Sequence, residues 1–399
     1  MQQQISLQRT LEPLYYHDDN IFSSERAQIL SHQWFFVGHR SEFLKPGDFK
    51  RVKLLKTDAL LVLQENGKIE AFSNRCIHRG ATIVSEQSGS ADSFTCPYHG
   101  WCFDQSGTLK STRGQAKRIE GTAALPCFDV MEVAGLVLLR LKKKQNTNER
   151  TLTALAPYWE FYGMASAEML HKKTIICKAN WKIVVENFLE CFHCASNHPQ
   201  LSEAEKHVEL LESNKIHQFI TLQQAYFRRA ESLGHPIPSP QFIDSGVSEY
   251  AVINAVPLCD DVETGTQDGK LKAPLMGKQK TSDRGFLYGS LGPLIHFSLY
   301  SDYCVFFNFI PTSPTTSEIE VTWWIKDGAR RERPVNKEAI CWLWEHTIEQ
   351  DAALCELVQE QVESFEARPG VYTQMEEDSA SFCRWYRQQM PILTSGIVA

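Results

Sequence analysis

The sequence contains no apolar run long enough to cross a bilayer, and residues 135–139, among the longest, suffice only for a short strand. It also lacks a basic N-terminal stretch followed by an apolar one, so we expect no signal peptide. The net charge is −7 and no strongly basic stripe is present, which argues against a nucleic-acid surface. We therefore predict a cytoplasmic chain that binds neither membrane nor nucleic acid. Its twelve cysteines are expected to be reduced or metal-bound rather than disulfide-paired.

The domain organisation follows from length and local composition. A chain of 399 residues that is 43% hydrophobic can form two or three domains with their own cores. Up to about residue 150 the pattern predicts short strands broken by Gly, Asn and Ser, and the polar run 142–150 predicts a solvated linker. The remainder is predicted to be α+β, with strands over 294–310 and 318–325.

Two short motifs, C-x-H and C-x2-H, supply the first set of candidate ligands: Cys76, His78, Cys96 and His99. Structural zinc sites commonly pair two cysteines in one loop and two histidines in another. Here each loop supplies one thiol and one imidazole. A Rieske cluster needs two thiolates on one iron and two imidazoles on the other, and two mixed loops clamp it from both sides. Zinc binding or chance proximity is the alternative.

A second set of candidates lies in residues 179–201, where apolar residues at near-helical spacing predict a buried helix. Asn187, Glu190 and His193 step by three along it. Pro199 disfavours the α-helical conformation at the preceding residue, so the helix should end near His198. Two imidazoles at a helix and its exit suit an iron(II) site that needs one further carboxylate.

Cys191 and Cys194 form a C-x-x-C pair within the same stretch. A thioredoxin-like redox pair would follow a strand and open a helix. The predicted position in the middle of a helix favours packing residues instead.

The missing carboxylate is predicted on a second core helix, over residues 338–364. Trp344, Ile348, Cys355 and Val358 form an apolar stripe along it, and Asp351 is the polar residue within that stripe. An exposed or capping Asp is the alternative. The apolar side of a helix argues against that, because an unpaired buried carboxylate is costly.

Together these motifs resemble the catalytic α-subunit of Rieske non-haem iron oxygenases, over nearly the whole chain. The lead-in stretches 34–38 and 45–48 are also typical of that family. The resemblance implies an α+β fold with a small all-β Rieske domain and a larger helix-grip domain, a curved antiparallel sheet packed on helices. Residues 1–44 would pack with the catalytic domain, 45–150 form the Rieske [2Fe-2S] domain and 151–399 the mononuclear iron domain.

The same resemblance implies the role of each candidate. His193, His198 and Asp351 would hold the mononuclear Fe(II) as a facial triad, with Asn187 nearby. In the family, subunits form head-to-tail homotrimers, and an acid links a cluster histidine of one subunit to an iron histidine of its neighbour. Carried over, that route would run from His99 through Glu190 to His193.

The form E-N-F-L-E-C-F-H-C-x3-H-P resembles the branch that acts on quaternary ammonium compounds such as glycine betaine, proline betaine and carnitine. This predicts hydroxylation by O2 of an N-methyl group, with release of formaldehyde. Because no nucleotide-binding fingerprint is present, electrons from NAD(P)H would arrive through a separate flavin and ferredoxin-type reductase. An aromatic cage suits such a cation, and Phe307 and Trp344 are candidate members. The alternatives are an aromatic-ring hydroxylating oxygenase, a pure electron carrier and a zinc-stabilised binding module.

Overall fold

The computed structural model describes residues 8–142, 150–211, 214–238, 241–244 and 250–390. The chain divides into two compact units, a small unit of residues Ser31–Thr147 and a large unit of residues Met1–Leu30 and Asn148–Ala399. Residues 143–149 of the predicted linker lie outside the described residues. No helix in the described part of the chain is long and apolar enough to span a membrane.

The small unit is built from β-strands. They are β1 (Phe35–His39), β2 (Asp48–Leu54), β3 (Thr57–Leu63), β4 (Ile69–Ser73), β5 (Ser88–Ser90), β6 (Ser93–Thr95), β7 (Cys102–Asp104), β8 (Leu109–Ser111), β9 (Cys127–Val133) and β10 (Leu136–Arg140). Seven of them form a sheet in the order β1-β10-β9-β4-β3-β2-β5, and β6-β7-β8 form a second sheet. The expected all-β domain is confirmed.

The small unit starts earlier in the chain than the sequence predicted. Residues 31–44 had been assigned to a segment packed on the catalytic domain, but Phe35–His39 pairs with Leu136–Arg140 as an antiparallel edge. Both strands are buried along their length, so the apolar residues of β1 satisfy their backbone groups and bury their side chains in this sheet. The boundary in the structure therefore falls at Leu30.

The large unit combines an antiparallel sheet with helices. Its strands are β11 (Glu168–Cys177), β12 (Gln241–Asp244), β13 (Tyr250–Pro257), β14 (Gly285–Leu291), β15 (Ile295–Leu299), β16 (Cys304–Ser313) and β17 (Thr316–Ile325). Its helices are α1 (Asp19–Gln28), α2 (Arg150–Phe161), α3 (Trp181–Phe188), α4 (Cys194–Asn197), α5 (Pro199–Glu205), α6 (Ile216–Leu233), α7 (Ala329–Glu332), α8 (Lys337–Val362) and α9 (Glu377–Gln389). The sheet runs in the order β11-β17-β16-β15-β14-β13-β12. The expected α+β architecture is confirmed.

Two predicted elements can be compared directly with the sheet and its covering helix. The stretch 294–310 was predicted as one strand, but Ser301 and Asp302 lie in a turn that separates β15 from β16. Ser and Asp favour turns, but the apolar residues on either side of this turn made the stretch resemble one continuous strand. Helix α8 has nearly its predicted bounds and packs against α3, α5 and β11. Val358 departs from the predicted buried stripe, because it is 49% exposed.

Helix α1 is tied to the rest of the large unit by a buried ion pair. The Glu25 carboxylate accepts hydrogen bonds from Lys182 Nζ (2.7 Å), Trp181 Nε1 (2.8 Å) and the Tyr386 hydroxyl. Glu25 and Lys182 are both fully buried. Burial lowers the pKa of Lys182, and the opposite charge of Glu25 counters that effect.

We expect Glu25→Ala to destabilise the large unit by about 3–5 kcal/mol, because it leaves the Lys182 ammonium buried without its counter-ion. Tyr386→Phe is the matched control. It removes one donor and keeps the ion pair, so it should cost about 1 kcal/mol. Urea unfolding of both variants followed by tryptophan fluorescence measures the difference. If both variants lost the same free energy of unfolding, the ion pair would not be what stabilises the unit.

Candidate metal centres

Two loops of the small unit carry the predicted cluster ligands and share one backbone geometry. The Cys76 carbonyl accepts a hydrogen bond from the Gly80 N–H at 2.9 Å, and the Cys96 carbonyl accepts one from the Gly100 N–H at 3.0 Å. Both glycines have positive φ, +80° and +72°, which residues with a Cβ rarely adopt. The glycine four residues after each cysteine therefore closes the same tight turn twice.

The thiols and imidazoles of these loops differ in their surroundings. Cys76 and Cys96 are buried in the core of the small unit, whereas His78 is exposed and His99 is partly exposed. The two imidazole ring centroids are 4.5 Å apart, and Trp101 stacks on His78 at 4.7 Å. Burial, together with the neighbouring Cys96, raises the pKa of Cys76, while desolvation and the neighbouring His78 lower the pKa of His99.

This donor set fits a Rieske cluster. A [2Fe-2S] cluster of that type needs two thiolates and two neutral imidazoles. Desolvation lowers the pKa of His99 and so favours the neutral imidazole, while burial, with Cys96 alongside, raises the pKa of Cys76. Cys76 and Cys96 would hold one iron and His78 and His99 the other.

The helix predicted over residues 179–198 is interrupted in the large unit. Helix α3 ends at Phe188, and α4 begins only at Cys194. Between them Glu190 accepts hydrogen bonds from a backbone N–H two residues downstream and from the His193 ring. A side chain that bonds its own nearby backbone competes with helical hydrogen bonding. The prediction of one continuous helix is wrong, and Glu190 and His193 project from a turn.

Three side chains from this region and from α8 converge on one point. His193 Nε2 lies 3.1 Å from His198 Nε2 and 3.2 Å from Asp351 Oδ1, and His198 Nε2 lies 3.1 Å from the same oxygen. Ligand atoms about 2.1 Å from a shared metal and at right angles to one another lie about 3 Å apart. His198 has φ −117° and ψ 75°, outside the α-helical region, as Pro199 predicts. The three atoms form a triangle suited to one face of a metal ion.

Neighbouring polar groups fix the orientation of both imidazoles. His193 donates from Nδ1 to Glu190, and His198 donates from Nδ1 to Gln350 Oε1 at 2.9 Å. Gln350 in turn donates to Gln200 Oε1 at 2.7 Å. Each Nδ1 is therefore occupied, which leaves each Nε2 as the free donor atom for a metal.

The electrostatics of the triangle favour a bound cation. Burial alone would lower the pKa of His193, but the Asp351 and Glu190 carboxylates outweigh it and raise the pKa to about 9. Burial tends to raise the pKa of Asp351, yet hydrogen bonds from His193 and His198 lower it overall. Negative charge at this point thus calls for a proton or a metal ion. Two imidazoles and one carboxylate on one face fit a non-haem iron(II) site.

A cavity of about 500 Å³ opens on this triangle. Its aromatic wall is formed by Phe188, Phe219, Phe286, Tyr288 and Trp344. Of the two residues proposed for the substrate pocket, Trp344 lines the cavity. Phe307 is fully buried behind its wall, with its ring centroid 4.7 Å from Phe188 and 4.9 Å from Trp344. Asn187 also lines the cavity, and its Nδ2 is 3.5 Å from His193 Nε2.

Comparison with known families identifies two domains in the chain. Residues 33–129 match the model of the Rieske [2Fe-2S] domain, and residues 164–392 match that of the catalytic domain of ring-hydroxylating alpha subunits. The second match alone covers more than half of the chain. The chain belongs to the family of Rieske non-haem iron oxygenase alpha subunits.

Relatives of this oxygenase subunit share its sequence over different lengths. It is 26% identical to the glycine betaine monooxygenase oxygenase subunit of Chromohalobacter salexigens, over 94% of this chain and 84% of the relative. The large component of a naphthalene 1,2-dioxygenase from Pseudomonas fluorescens is 30% identical over 47% of this chain and 44% of its own length. The crystal structure of the quaternary ammonium Rieske monooxygenase CntA with L-carnitine has the same fold, with a TM-score of 0.67, 18% identity and 96% coverage of both chains.

One feature of this oxygenase subunit contradicts the sequence analysis. Cys191 and Cys194 form a disulfide, with their Cα atoms 4.9 Å apart. They had been predicted to be reduced packing residues within a helix. Because the helix stops at Phe188, the C-x-x-C pair lies across the turn that holds His193, where the two sulfurs meet. The other ten cysteines, all within the described residues, are free.

A buried acid in the cavity wall was missed by the sequence reasoning. Glu205, at the end of α5, is 2% exposed and accepts a hydrogen bond from the Tyr300 hydroxyl. Burial raises its pKa to about 8. His207 Nδ1 lies 3.7 Å from Glu205, but burial lowers the pKa of His207 to about 4, so that ring stays neutral. No spacing or motif marks Glu205 in the sequence, because its burial depends on distant strands.

We expect Glu205→Gln to remove a pH dependence of stability. Between pH 4.5 and about 8 folded Glu205 keeps a proton that the unfolded chain releases, so the free energy of unfolding falls as pH rises through that window. The glutamine variant should match the wild type near the acidic end and be more stable at the alkaline end. Urea unfolding at both ends tests this, with Glu203→Gln, an exposed acid on the same helix, as control. An equal alkaline loss in the glutamine variant and the wild type would refute the assignment.

Proposed function

We propose that this subunit is the terminal oxygenase component that hydroxylates an N-methyl group of a small betaine-like compound. The hydroxylated group then leaves as formaldehyde and the amine loses one methyl. The observation that carries the proposal is the His193, His198 and Asp351 triangle at the end of a cavity with an aromatic wall. The relative that matches nearly the whole chain is a glycine betaine monooxygenase subunit, which favours the same substrate class.

The residues of the chain would bind the two metal centres, orient the imidazole ligands and shield the reacting group. His193, His198 and Asp351 would bind the mononuclear iron, and the two loops of the small unit would bind the [2Fe-2S] cluster. Bound iron and cluster supply one-electron transfer and O2 chemistry, which amino-acid side chains lack. The cavity keeps bulk water from the reacting group, and Glu190 and Gln350 hold the two imidazoles in position.

The aromatic wall supports a cationic substrate. Tyr288 and Trp344 line the cavity together with Phe188, and aromatic faces attract a quaternary ammonium group while tolerating its methyl groups. The buried carboxyl of Glu205 lies in the same wall. The glycine betaine monooxygenase subunit matches 94% of this chain, whereas the naphthalene 1,2-dioxygenase component matches 47% of it. The aromatic-ring hydroxylating alternative is thus less well supported.

We further propose that the subunit works as a homotrimer and receives electrons from a separate NAD(P)H-linked reductase with a flavin and a ferredoxin-type cluster. Glu190 and His193 also line an open groove of about 740 Å³. Leu357 and Val358 on its wall are exposed, as is the nearby Phe192 in the Glu190 turn. An apolar groove that contains the His193–Glu190 pair supports docking of a neighbouring Rieske unit, with His99 of that neighbour close to Glu190.

Turnover with a substrate panel tests the proposed reaction. The reduced protein should form formaldehyde in step with consumption of a betaine in the presence of O2. The matched control is 3,3-dimethylbutanoate, in which carbon replaces the ammonium nitrogen of glycine betaine, and it should yield no formaldehyde. Hydroxylated products from aromatic acids, without formaldehyde from any betaine, would establish the alternative.

Glu190→Gln should separate metal binding from electron transfer. The amide retains the size of the side chain but lacks the negative charge that pairs with imidazole N–H groups on both sides. We expect both metals to remain bound, while single-turnover oxidation of the reduced cluster slows by at least tenfold, on the order of the loss seen when such partners are removed. Glu203→Gln is the control. A rate unchanged from the wild type would eliminate Glu190 from the electron path.

A further inference from the structure

The disulfide of the large unit encloses a metal ligand. Cys191 and Cys194 are joined on either side of His193, in the turn that also contains Glu190. Both cysteines line the same cavity as the triangle of His193, His198 and Asp351. The disulfide is therefore part of the wall of the iron site.

The Cys194 sulfur is also within reach of that site. Cys194 Sγ, one ring nitrogen of His193 and one ring nitrogen of His198 all lie within 4.8 Å of one another, and Cys194 is buried. Ligand atoms on one metal ion are separated by distances of about this size or less, since each lies about 2.0–2.3 Å from the ion. The geometry thus brings Cys194 close to a metal ion that the two histidines would hold.

The oxidation state of the sulfur decides whether it binds. A disulfide sulfur has no proton to lose and is a poor ligand, whereas a thiolate is a strong one for iron. A dithiol reductant opens the bond by thiol–disulfide exchange, in which the S–S bond breaks, two thiols form and the reductant becomes a cyclic disulfide. Cys194 then releases its proton to solvent when it binds the metal.

We propose that Cys194 is a redox-gated ligand of the mononuclear iron site, withheld by the Cys191–Cys194 disulfide and supplied when a dithiol opens it. The bound thiolate would fill a coordination position otherwise open to O2. The subunit is then competent with the disulfide closed and blocked with it open. The inference rests on the iron site of the proposed function and is independent of the substrate.

Cobalt(II) is a suitable probe because a cobalt–thiolate bond gives a strong near-ultraviolet charge-transfer band that histidine and carboxylate ligands do not give. Full-length protein with an emptied mononuclear site is treated with dithiothreitol, freed of it by anaerobic gel filtration and then mixed with cobalt(II). The difference between spectra with and without cobalt cancels the cluster absorption. We expect the band in the reduced protein and its loss in the disulfide form. Alkylation and peptide mass mapping confirm the state of each cysteine.

Two single variants form a matched pair. Cys191→Ser cannot form the disulfide, so it should show the band without any reductant. Cys194→Ser should show none in either state, while it still binds cobalt with a spectrum of nitrogen and oxygen ligands. Absence of the band in both reduced wild type and Cys191→Ser, or failure of an oxidant to close the disulfide, would overturn the proposal. If cobalt does not bind at all, or binds equally well to Asp351→Ala, the assignment of the iron site is wrong, and not only the proposed role of Cys194.

Discussion

The geometry of the large unit depends on one buried carboxylate held between two imidazoles. Asp351 is 5% exposed and lies within about 3.2 Å of both His193 and His198. A carboxylate in such a place is unfavourable unless positive charge accompanies it. Its position is rigid because α8 is long and packs against α3, α5 and the sheet. The histidines come from a turn and a helix junction, so a metal ion here would join a rigid element to a less regular one.

The parts of the site that sequence reveals are those encoded locally. The two C-x-H-type loops lie close together in the chain, and each glycine with positive φ stands at a fixed offset from its cysteine. Asp351 could be found because a carboxylate within an apolar helical stripe conflicts with the pattern around it. The bounds of α8 followed for the same reason, since its periodicity extends over many turns and needs no distant partner.

The features of the site that could not be predicted from the sequence depend on tertiary contacts. The run from Phe188 to His193 keeps helical spacing of apolar residues, but Glu190 bonds within its own turn and ends the helix. The Cys191–Cys194 bond follows from that break and so could not be predicted while a continuous helix was assumed. Glu205 is buried where Tyr300, 95 residues later in the chain, donates a hydrogen bond to it.

The break after α3 determines which side chains of this turn face the cavity and the groove. A continuous helix would place Glu190 and Cys194 on one face and turn His193 about 100° away from Cys194. In the turn, Glu190 and His193 face both the cavity and the open groove, while the cysteine pair lines the same cavity as His193, His198 and Asp351. One short segment thus lines both the cavity and the open groove and also contains the disulfide.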